Sequence, residues 1–354
     1  MTGPHSAFYN RRMERADTAD QPKLLYAVPA ARFEMIFPAH VCRRIAAACR
    51  VLGTAAPQVV SQDFLIENGG DVEVLITSWG TPSVDELIVK GLPKLKLVAH
   101  AAGSIKPIMS EAAWTRGIRA TSAAAAIALG VAEFCLGLIL TASKRVFWCA
   151  DQVRQGYWYK GGQFFGPSFE IFRQNVGVIG ASLVGRRLIE LLGPLQCQCF
   201  VYDPYCSCED AKAMGATKVA TLDQIFSECR VVSLNAPATD ETKGMIRGGH
   251  FAMLKEGSLF VNTARGAVVN QAEMVAELRK GRFVACLDVT WPEPLPIDHD
   301  LRRLPNVLIT PHIAGAIGEN LMRIGEFIGS EIERYVLGEA LEGEVDPERL
   351  TIMA

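Results

Sequence analysis

The sequence lacks the features that mark several large classes of protein. Its 36 Lys and Arg nearly balance 38 Asp and Glu, so a formal net charge of -2 leaves no basic excess for nucleic acid or an anionic membrane. The longest apolar stretch, Ala120 to Leu140, contains Ser122 and Glu133. A carboxylate is costly in lipid, so this stretch predicts a buried helix rather than a membrane span. We therefore expect no nucleic-acid partner and no membrane partner.

The N-terminal region lacks an apolar signal segment, and its polar, mixed-charge residues 1–22 predict a loose tail. Ten cysteines are scattered through the chain, which without a secretion signal favours reduced thiols and a cytoplasmic location. Cys197, Cys199, Cys206 and Cys208 form a cluster that could hold zinc. However, the C-x-C spacing is unusual for zinc and the first pair falls on a predicted core strand. We predict no metal site.

Strands and helices alternate along most of the chain, which is typical of parallel α/β folds. In the first third, the pattern predicts strands over 24–28, 74–76 and 97–99 and helices over 37–49 and 83–91. An alanine-rich helix over 124–147 and a glycine- and aromatic-rich linker over 156–167 follow. The alternation restarts at Asn175 and runs to Ala314, before a last helix over 318–337. Two α/β lobes account for this pattern.

A glycine turn in the middle of the chain predicts a nucleotide site. A strand over 176–179 enters the sequence Gly-Ala-Ser-Leu-Val-Gly at 180–185, then a helix follows, and the next strand ends at Asp203. In the G-x-G-x-x-G dinucleotide fingerprint the helix N-terminus binds the pyrophosphate, and an acid about 20 residues later accepts the ribose hydroxyls. Asp203 would repel a 2′-phosphate, which favours NAD over NADP. Ser182 replaces the second glycine; its Cβ would obstruct the phosphates, while its hydroxyl could bind one. Glycines in such turns also occur for packing alone.

Three ionisable side chains follow predicted buried strands in the last quarter of the chain. Arg265, Glu293 and His312 come after apolar runs at 258–261, 284–289 and 307–309. The carboxyl ends of parallel strands share one edge, where such sheets bind ligands. A guanidinium can pair with a 2-oxo carboxylate, and a buried Glu293 carboxylate would fix the ring of an imidazole that moves a proton. The alternative is that Arg265 and Glu293 form a plain ion pair and His312 is a structural strand-end residue.

From about Leu97 to Arg334 the chain resembles the D-isomer-specific 2-hydroxyacid dehydrogenases. The resemblance rests on the turn at 176–185 with Asp203, and on the segments 237–246, 254–266, 287–294 and 304–312. It implies two lobes, each a doubly wound parallel sheet, with a Rossmann-type nucleotide lobe inserted into a flavodoxin-like catalytic lobe. The domains expected are a tail at 1–22, a catalytic domain at 23–122 and 317–354, and an NAD-binding domain at 123–316. The resemblance also implies a homodimer through the nucleotide domains.

The resemblance implies a role for each matching residue. Arg265 would grip the substrate, His312 would be the acid/base, and Glu293 its partner. The residues implied to bind NAD are Gly180, Ser182, Leu183, Val184, Gly185, Asp203, Ala236, Pro237, Thr242, Thr263, Ala264, Arg265, Asp288 and His312. Among them, Asp288 would lie near the nicotinamide carboxamide. The residues implied to bind the substrate are Trp79, Gly103, Ser104 and Arg265.

The substrate loop departs from the family pattern, which usually has Gly-Val-Gly followed by Asp-Asn. Here Gly103 and Ser104 could still offer amides, but Lys106 replaces an acid and Pro107 lacks a backbone N–H. Trp79 is interpreted either as a pocket wall or as core. The nearby His100 is predicted to be a structural histidine with satisfied hydrogen bonds.

These observations predict an NAD-dependent oxidoreductase (EC 1.1.1.-) that transfers a hydride between nicotinamide and a small 2-hydroxy or 2-oxo acid. Glyoxylate-, hydroxypyruvate- and phosphoglycerate-like substrates remain open. Formate is disfavoured, since residues 313–318 contain neither the asparagine nor the glutamine that formate dehydrogenases of this family use. The alternative is a non-turnover NAD(H)-sensing protein on the same fold, like the C-terminal-binding corepressors, or an enzyme scaffold that has lost turnover.

Overall fold

The computed structural model describes residues 21–53, 57–158 and 168–353. The chain divides into two compact units, which we call unit 1 and unit 2. Unit 1 contains the described residues up to Ile127 together with Ala316–Thr351, and unit 2 contains Ala128–Gly315. Most of the predicted tail at 1–22 and of the predicted linker at 156–167 lies outside the described residues.

Unit 1 is built on a five-stranded sheet. Its strands are β1 (Lys23–Ala27), β2 (Arg50–Leu52), β3 (Val74–Thr77), β4 (Leu97–His100) and β5 (Arg119–Ser122). All neighbours are parallel, and their spatial order is β2-β1-β3-β4-β5. This is the flavodoxin-like order, in which the chain reverses its direction of growth between β1 and β3.

Unit 2 contains a seven-stranded parallel sheet. Its strands are β6 (Asn175–Ile179), β7 (Gln198–Tyr202), β8 (Ala216–Lys218), β9 (Val231–Leu234), β10 (Ser258–Asn262), β11 (Phe283–Leu287) and β12 (Val307–Ile309). Their spatial order is β12-β11-β10-β9-β6-β7-β8. The growth of the sheet reverses between β6 and β9, which places a Rossmann-type switch point at their carboxyl ends. The predicted fold class is confirmed.

Helices connect the strands in both units. In chain order they are α1 (Ala30–Ile36), α2 (Ala39–Ala48), α3 (Gln62–Gly69), α4 (Glu86–Gly91), α5 (Glu111–Thr115), α6 (Ala124–Ser143), α7 (Val146–Arg154), α8 (Leu183–Leu192), α9 (Cys208–Ala213), α10 (Leu222–Glu228), α11 (Gly248–Met253), α12 (Gln271–Leu278) and α13 (Asn320–Leu337). α13 returns the chain to unit 1, where a Cβ at Gly325 would lie 1.9 Å from the Ile36 carbonyl oxygen. Glycine therefore permits α13 to pack against the end of α1.

Two helical features differ from the sequence prediction. α1 was not predicted, because its short sequence has no side-chain N-cap and only Ile36 is buried. The helix predicted over 124–147 is two helices, α6 and α7, separated at Arg145, whose φ is 59°. Arg145 is 1% exposed and donates to the Gly257 carbonyl oxygen. Its buried environment sets this break, and local sequence gives no sign of it.

Each sheet is buried on both faces by apolar side chains. In unit 1, the inner faces of α2 and α13 contribute Val41, Ile45, Ile324 and Ile328 to one core. In unit 2, Phe226, Phe251, Phe260 and Phe283 pack ring against ring at centroid distances of 5.0 to 6.4 Å. Burying each such side chain contributes roughly 1.5–3 kcal/mol, so the strands that end at the candidate site are rigidly held.

α6 is long and apolar enough to cross a membrane by length and composition, although 44% of its most apolar window is buried and Glu133 is exposed. A core helix of a soluble protein passes the same test. Within the described ranges, no group of three or more His, Cys, Asp or Glu could hold a metal ion. Cys197 and Cys199 lie with their sulfurs 4.0 Å apart at the start of β7.

Candidate active site

The three predicted catalytic residues lie in the loops that follow adjacent strands of unit 2. Arg265 follows β10, Glu293 follows β11, and His312 follows β12. These strands are neighbours in the parallel sheet, so their carboxyl ends share one edge. The structure therefore brings the loops of all three residues to the same edge.

His312 and Glu293 form a hydrogen-bonded pair. Glu293 Oε2 lies 2.8 Å from His312 Nδ1. The side chains are 49% and 38% exposed, so Glu293 is not buried as the sequence analysis expected. An ion pair this exposed adds only about 0–1 kcal/mol to stability. The pair instead orients the imidazole, because a carboxylate bonded to Nδ1 fixes the ring and leaves Nε2 for another partner.

Asp288 holds the loop that carries His312. Its carboxylate is 1% exposed and accepts hydrogen bonds from the Thr310 hydroxyl at 2.6 Å and from the Ile313 and Ala314 amides at 2.9 Å. His312 itself has a φ of 55°, and its amide donates to the Asp288 carbonyl oxygen at 2.9 Å. A left-handed histidine is uncommon and is kept only where surrounding bonds impose it. Asp288 provides those bonds.

Arg265 is fixed by its own loop and by the neighbouring one. The buried Asn262 side chain accepts from the Ala264 amide at 3.0 Å and donates to the Arg265 carbonyl at 3.2 Å. A Cβ at Gly266 would lie 2.1 Å from Thr290 carbonyl atoms, so only glycine allows this loop to touch the loop that carries Glu293. Burial lowers the pKa of Arg265, and the charge of Glu293 partly opposes this effect. The guanidinium and the carboxylate therefore interact electrostatically.

A second group of predicted residues surrounds the ends of β6, β7 and β9. Gly180 has a φ of 98°, and a Cβ there would lie 2.7 Å from the Ala236 amide. A Cβ at Gly185 would lie 2.1 Å from the Gly180 carbonyl oxygen. Both glycines are therefore required by the close approach of backbone at the switch point.

Ser182 makes two hydrogen bonds within the protein. Its hydroxyl donates to the Asn235 carbonyl oxygen at 2.8 Å and accepts from the Gly185 amide as the N-cap of α8. Its contact with a phosphate stays a prediction. The serine ties the glycine turn to the loop after β9.

The amides at the start of α8 and the carboxylate of Asp203 decide whether this region fits NAD. In the part of the chain that the structure describes, the Leu183 and Val184 amides at the start of α8 have no hydrogen-bond acceptor. Two such amides at a helix N-terminus suit a pyrophosphate. Asp203 accepts from the Ala181 and Tyr205 amides at 2.7 and 2.8 Å, which holds its carboxylate at the end of β7. These residues fit a dinucleotide.

The other predicted cofactor residues mostly shape their loops. The Thr242 hydroxyl donates to the Pro237 carbonyl at 2.6 Å and closes the loop after β9, which begins near the buried Ala236. The Thr263 hydroxyl lies 2.9 Å from the sulfur of Cys135 in α6. Ala264 is half-buried beside them. Their contacts with a bound cofactor stay a prediction.

The predicted substrate residues Trp79, Gly103 and Ser104 lie in loops that follow β3 and β4 of unit 1. Trp79 is half-buried, packs against the core of unit 1, and has the Arg32 guanidinium 5.6 Å above its ring. These contacts favour the interpretation of Trp79 as a core residue. The substrate roles of all three residues stay a prediction.

His100, at the end of β4, is a structural histidine, as the sequence indicated. It is 3% exposed, and its Nδ1 lies 2.9 Å from the Thr77 hydroxyl. Burial lowers its pKa to about 4. The ring is therefore neutral at physiological pH.

Sequence reasoning missed two residues that organise the candidate site. Asn262 clamps the Arg265 loop, and it stood unremarked inside the motif that was used to find Arg265. Gln271 pairs its side-chain amide with the backbone of Trp291, in the loop that carries Glu293. No local pattern signals this contact, because it joins the start of α12 to a loop 20 residues later.

Comparison with protein families agrees with this geometry. The model of the NAD-binding domain of the D-isomer-specific 2-hydroxyacid dehydrogenases matches residues 136–314, just over half of the chain. The chain belongs to this family. The match covers β6 to β12 and thus every predicted catalytic residue of this family member.

Curated relatives in the family differ in their substrates. The chain is 29% identical over 288 residues to D-3-phosphoglycerate dehydrogenase of Methanocaldococcus jannaschii, covering 81% of this chain and 54% of that protein. It is 28% identical over 281 residues to glyoxylate reductase of Korarchaeum cryptofilum, covering 79% and 84%. The chain thus spans about half the length of the phosphoglycerate dehydrogenases that it matches.

Solved structures share the fold. The apo D-mandelate dehydrogenase of Rhodotorula graminis superposes with a TM-score of 0.77 at 22% identity, covering 92% of this chain and 98% of the other. A Thermus thermophilus protein, TT0316, gives a TM-score of 0.73 at 25% identity, covering 92% and 100%. The likeness to the mandelate enzyme concerns the fold alone.

Proposed function

We propose that the protein is an NAD-dependent oxidoreductase that interconverts a small 2-oxo acid and its 2-hydroxy acid. The principal support is the 2.8 Å bond between His312 Nδ1 and Glu293 Oε2, on the sheet edge that also presents Arg265. An oriented imidazole with a free Nε2 near a guanidinium can transfer a proton to an anionic carbonyl compound. Family membership makes this the expected chemistry.

Arg265 binds the substrate in this proposal. A guanidinium keeps its charge even when burial lowers its pKa, because its ordinary pKa is above about 12. Its planar fork can donate to the carboxylate and to the adjacent carbonyl oxygen of a 2-oxo acid. Both contacts strengthen as negative charge develops on the carbonyl oxygen.

His312 supplies and receives the proton. The Glu293 carboxylate accepts from Nδ1–H, so Nε2 carries the exchangeable proton. With the dinucleotide held through its pyrophosphate at the glycine turn, its nicotinamide would supply or accept the hydride. In reduction, protonated His312 donates from Nε2 to the carbonyl oxygen. In oxidation, the neutral ring takes the hydroxyl proton through the same nitrogen.

The glycine turn and Asp203 hold the cofactor in this proposal. The Leu183 and Val184 amides receive the pyrophosphate, and Asp203 receives the ribose hydroxyls. The fixed negative charge of Asp203 repels a 2′-phosphate. We therefore expect NADH to be used in preference to NADPH.

An enzyme assay tests the proposal. Purified protein is mixed with NADH or NADPH and a panel of 2-oxo acids that includes glyoxylate, hydroxypyruvate and longer acids, and oxidation is followed at the nicotinamide absorbance. We expect turnover with NADH, and a fall of at least about a hundredfold in kcat for His312→Asn, the usual scale for a lost general acid. NADH affinity of the variant should stay within about twofold.

A matched control exists in unit 1. His40 and Glu326 form another exposed histidine–carboxylate pair, so His40→Asn removes the same chemical group without changing the candidate site. It should leave kcat unchanged. Measurable NADH binding with no turnover on any oxoacid would contradict the enzyme proposal and favour the NAD(H)-sensing alternative.

We also propose a homodimer formed through unit 2. Large apolar side chains are exposed on α6 and α7, among them Leu129, Leu140, Val146 and Phe147 at 36–46%. Large exposed apolar side chains of this kind are typical of a subunit interface. Light scattering should give twice the chain mass, and Leu140→Glu should lower it, whereas an unchanged monomer mass in wild type contradicts the dimer. A cytoplasmic location stays a prediction.

A further inference from the structure

The loop that carries Glu293 has little backbone hydrogen bonding of its own. Pro292 and Pro294 have no N–H to donate. Inside the loop, the Thr290 amide donates to Glu293 Oε1 at 3.0 Å, and the Thr290 hydroxyl donates to the Pro292 carbonyl at 2.9 Å. The position of Glu293 therefore depends on how this loop is attached to the rest of unit 2.

Gln271 provides one such attachment through both ends of its amide. Its Oε1 accepts from the Trp291 amide at 2.9 Å, and its Nε2 donates to the Trp291 carbonyl at 2.8 Å. This pairing matches donor to acceptor in the manner of a strand-to-strand bridge, so it fixes which way the side-chain amide is turned. Nε2 also lies 3.2 Å from His299 Nε2.

The backbone of Gln271 is itself firmly placed. It is the first residue of α12, whose N-cap Asn270 accepts from the Glu273 amide. The helix buries Met274, Val275 and Leu278 in the core of unit 2. A half-buried side chain on this anchored helix end can transmit a fixed position to the loop that it touches.

Arg265 begins the chain segment that leads into Gln271 and α12. Gln271 lies six positions after Arg265, and between them Gly266 packs against Thr290. The segment therefore touches the Glu293 loop twice, once through Gly266 at Thr290 and once through Gln271 at Trp291. These two contacts set the Glu293 loop relative to Arg265.

We propose that Gln271 is a positioning residue that holds the Glu293 loop on the Arg265 segment and, through Glu293, fixes the ring of His312. The inference rests on the proposed function for its catalytic meaning. Gln271 contacts neither His312 nor Arg265 through a hydrogen bond in the described residues, so its effect passes through Trp291 and Glu293.

Two variants and one control separate the hydrogen bonds of Gln271 from the volume of its side chain. Gln271→Ala removes both bonds to Trp291. Gln271→Glu keeps the acceptor for the Trp291 amide and loses the donor. The control Gln198→Ala removes an exposed glutamine at the start of β7 whose side chain makes no hydrogen bond within the described ranges.

In the oxoacid assay, Gln271→Ala should lower kcat about tenfold, a modest case of the loss caused by misplacing a catalytic group. NADH affinity should stay within about twofold, because the glycine turn is untouched. Gln271→Glu keeps the bond to the Trp291 amide but sets an oxygen against the Trp291 carbonyl, so its activity should lie between those of Gln271→Ala and wild type. Gln198→Ala should match wild type. Equal kcat in wild type and Gln271→Ala overturns the inference.

A second readout does not depend on turnover. Nitrogen-15 NMR of labelled histidines, recorded where imidazole rings are neutral, reports which ring nitrogen carries the proton, and His312→Asn identifies the signal of His312. Wild type should show the proton on Nδ1, as the bond to Glu293 requires. Gln271→Ala should shift the signal toward that of Glu293→Ala.

The two measurements distinguish a failure of the positioning role from a failure of the proposed function. An unchanged His312 signal in Gln271→Ala overturns the positioning role, whatever the activity of wild type. Absent turnover in wild type, together with a shifted signal in Gln271→Ala, supports the positioning of the ring and contradicts the proposed function instead. If Gln271 only stabilised the fold, Gln271→Ala would lower the melting temperature without shifting the His312 nitrogen signal.

Discussion

His100 and His312 lie at corresponding places in the two units, each where a strand of a parallel sheet ends. His100 ends β4 of unit 1, and His312 follows β12 of unit 2. The first is 3% exposed and bonded to a threonine hydroxyl, whereas the second has a side chain that is 49% exposed and bonded to a carboxylate. Two histidines at strand ends are thus two different imidazoles.

The comparison shows that the partner and the solvent decide what a strand-end histidine can do. Burial without a charged partner favours the neutral ring, so the pKa of His100 falls to about 4 and the ring is unsuited to supply protons near neutral pH. His312 has access to solvent, a carboxylate on Nδ1 and a loop imposed by Asp288. Only the second arrangement suits acid/base work.

Among changes to the surroundings of the two histidines, Asp288→Asn should have the largest effect. The amide cannot accept from all three donors that the carboxylate holds, so the His312 loop loses part of its support, at a cost of roughly 1–3 kcal/mol. We expect kcat with NADH to fall by about tenfold or more. Steady-state kinetics beside NADH titration will measure it.

Asp298→Asn is the control for this change, since Asp298 is an exposed acid in the same stretch of chain and makes no side-chain bond in the described residues. It should behave as wild type. If Asp288→Asn keeps full kcat, the loop does not depend on this carboxylate.

An effect on stability alone should come from His100 as the pH falls. Its pKa is about 4 in the folded protein against 6.5 for the unperturbed side chain. Below pH 6.5 the unfolded chain binds a proton that the folded protein refuses, so stability is full above that pH and is lost as the pH falls toward 4. Between pH 7 and pH 5 the loss should be about 2 kcal/mol.

Urea unfolding at pH 7 and pH 5 checks this expectation. His100→Asn removes the titration and keeps a polar group near Thr77, so the variant should lose about 2 kcal/mol less than wild type over the same interval. The two proteins differ only at residue 100, so the difference between their losses reports the titration of His100. Equal losses in the two proteins would show that His100 titrates normally when folded.

Much of the architecture follows from local patterns in the sequence. Continuous apolar runs located β3, β4, β6 and β10, because strands buried on both faces read as continuous hydrophobic segments. The glycines at 180 and 185 indicated the tight turn that their contacts with Ala236 and the Gly180 carbonyl require. The strand-end rule then found Arg265, Glu293 and His312 without any knowledge of their contacts.

What the sequence could not predict depends on contacts between distant segments. The hydrogen bond from the Ser182 hydroxyl to the Asn235 carbonyl, 53 residues away, was not predicted. Glu293 was expected to be buried, although its loop leaves it 38% exposed. Asp288 was assigned by resemblance alone to the cofactor, while its bonds to residues 310–314 were invisible. Such bonds leave no periodic trace in the sequence.

The most direct measurement follows the hydride itself. The protein is given NADH carrying deuterium at the transferred position of the nicotinamide, with the best oxoacid of the panel, and the product is analysed by mass spectrometry. We predict a 2-hydroxy acid with deuterium at C2 from wild type, formed at least about a hundredfold more slowly by His312→Asn. A deuterium-free product, or equal rates for the two proteins, would contradict the assignment of this chemistry to the His312–Glu293 pair.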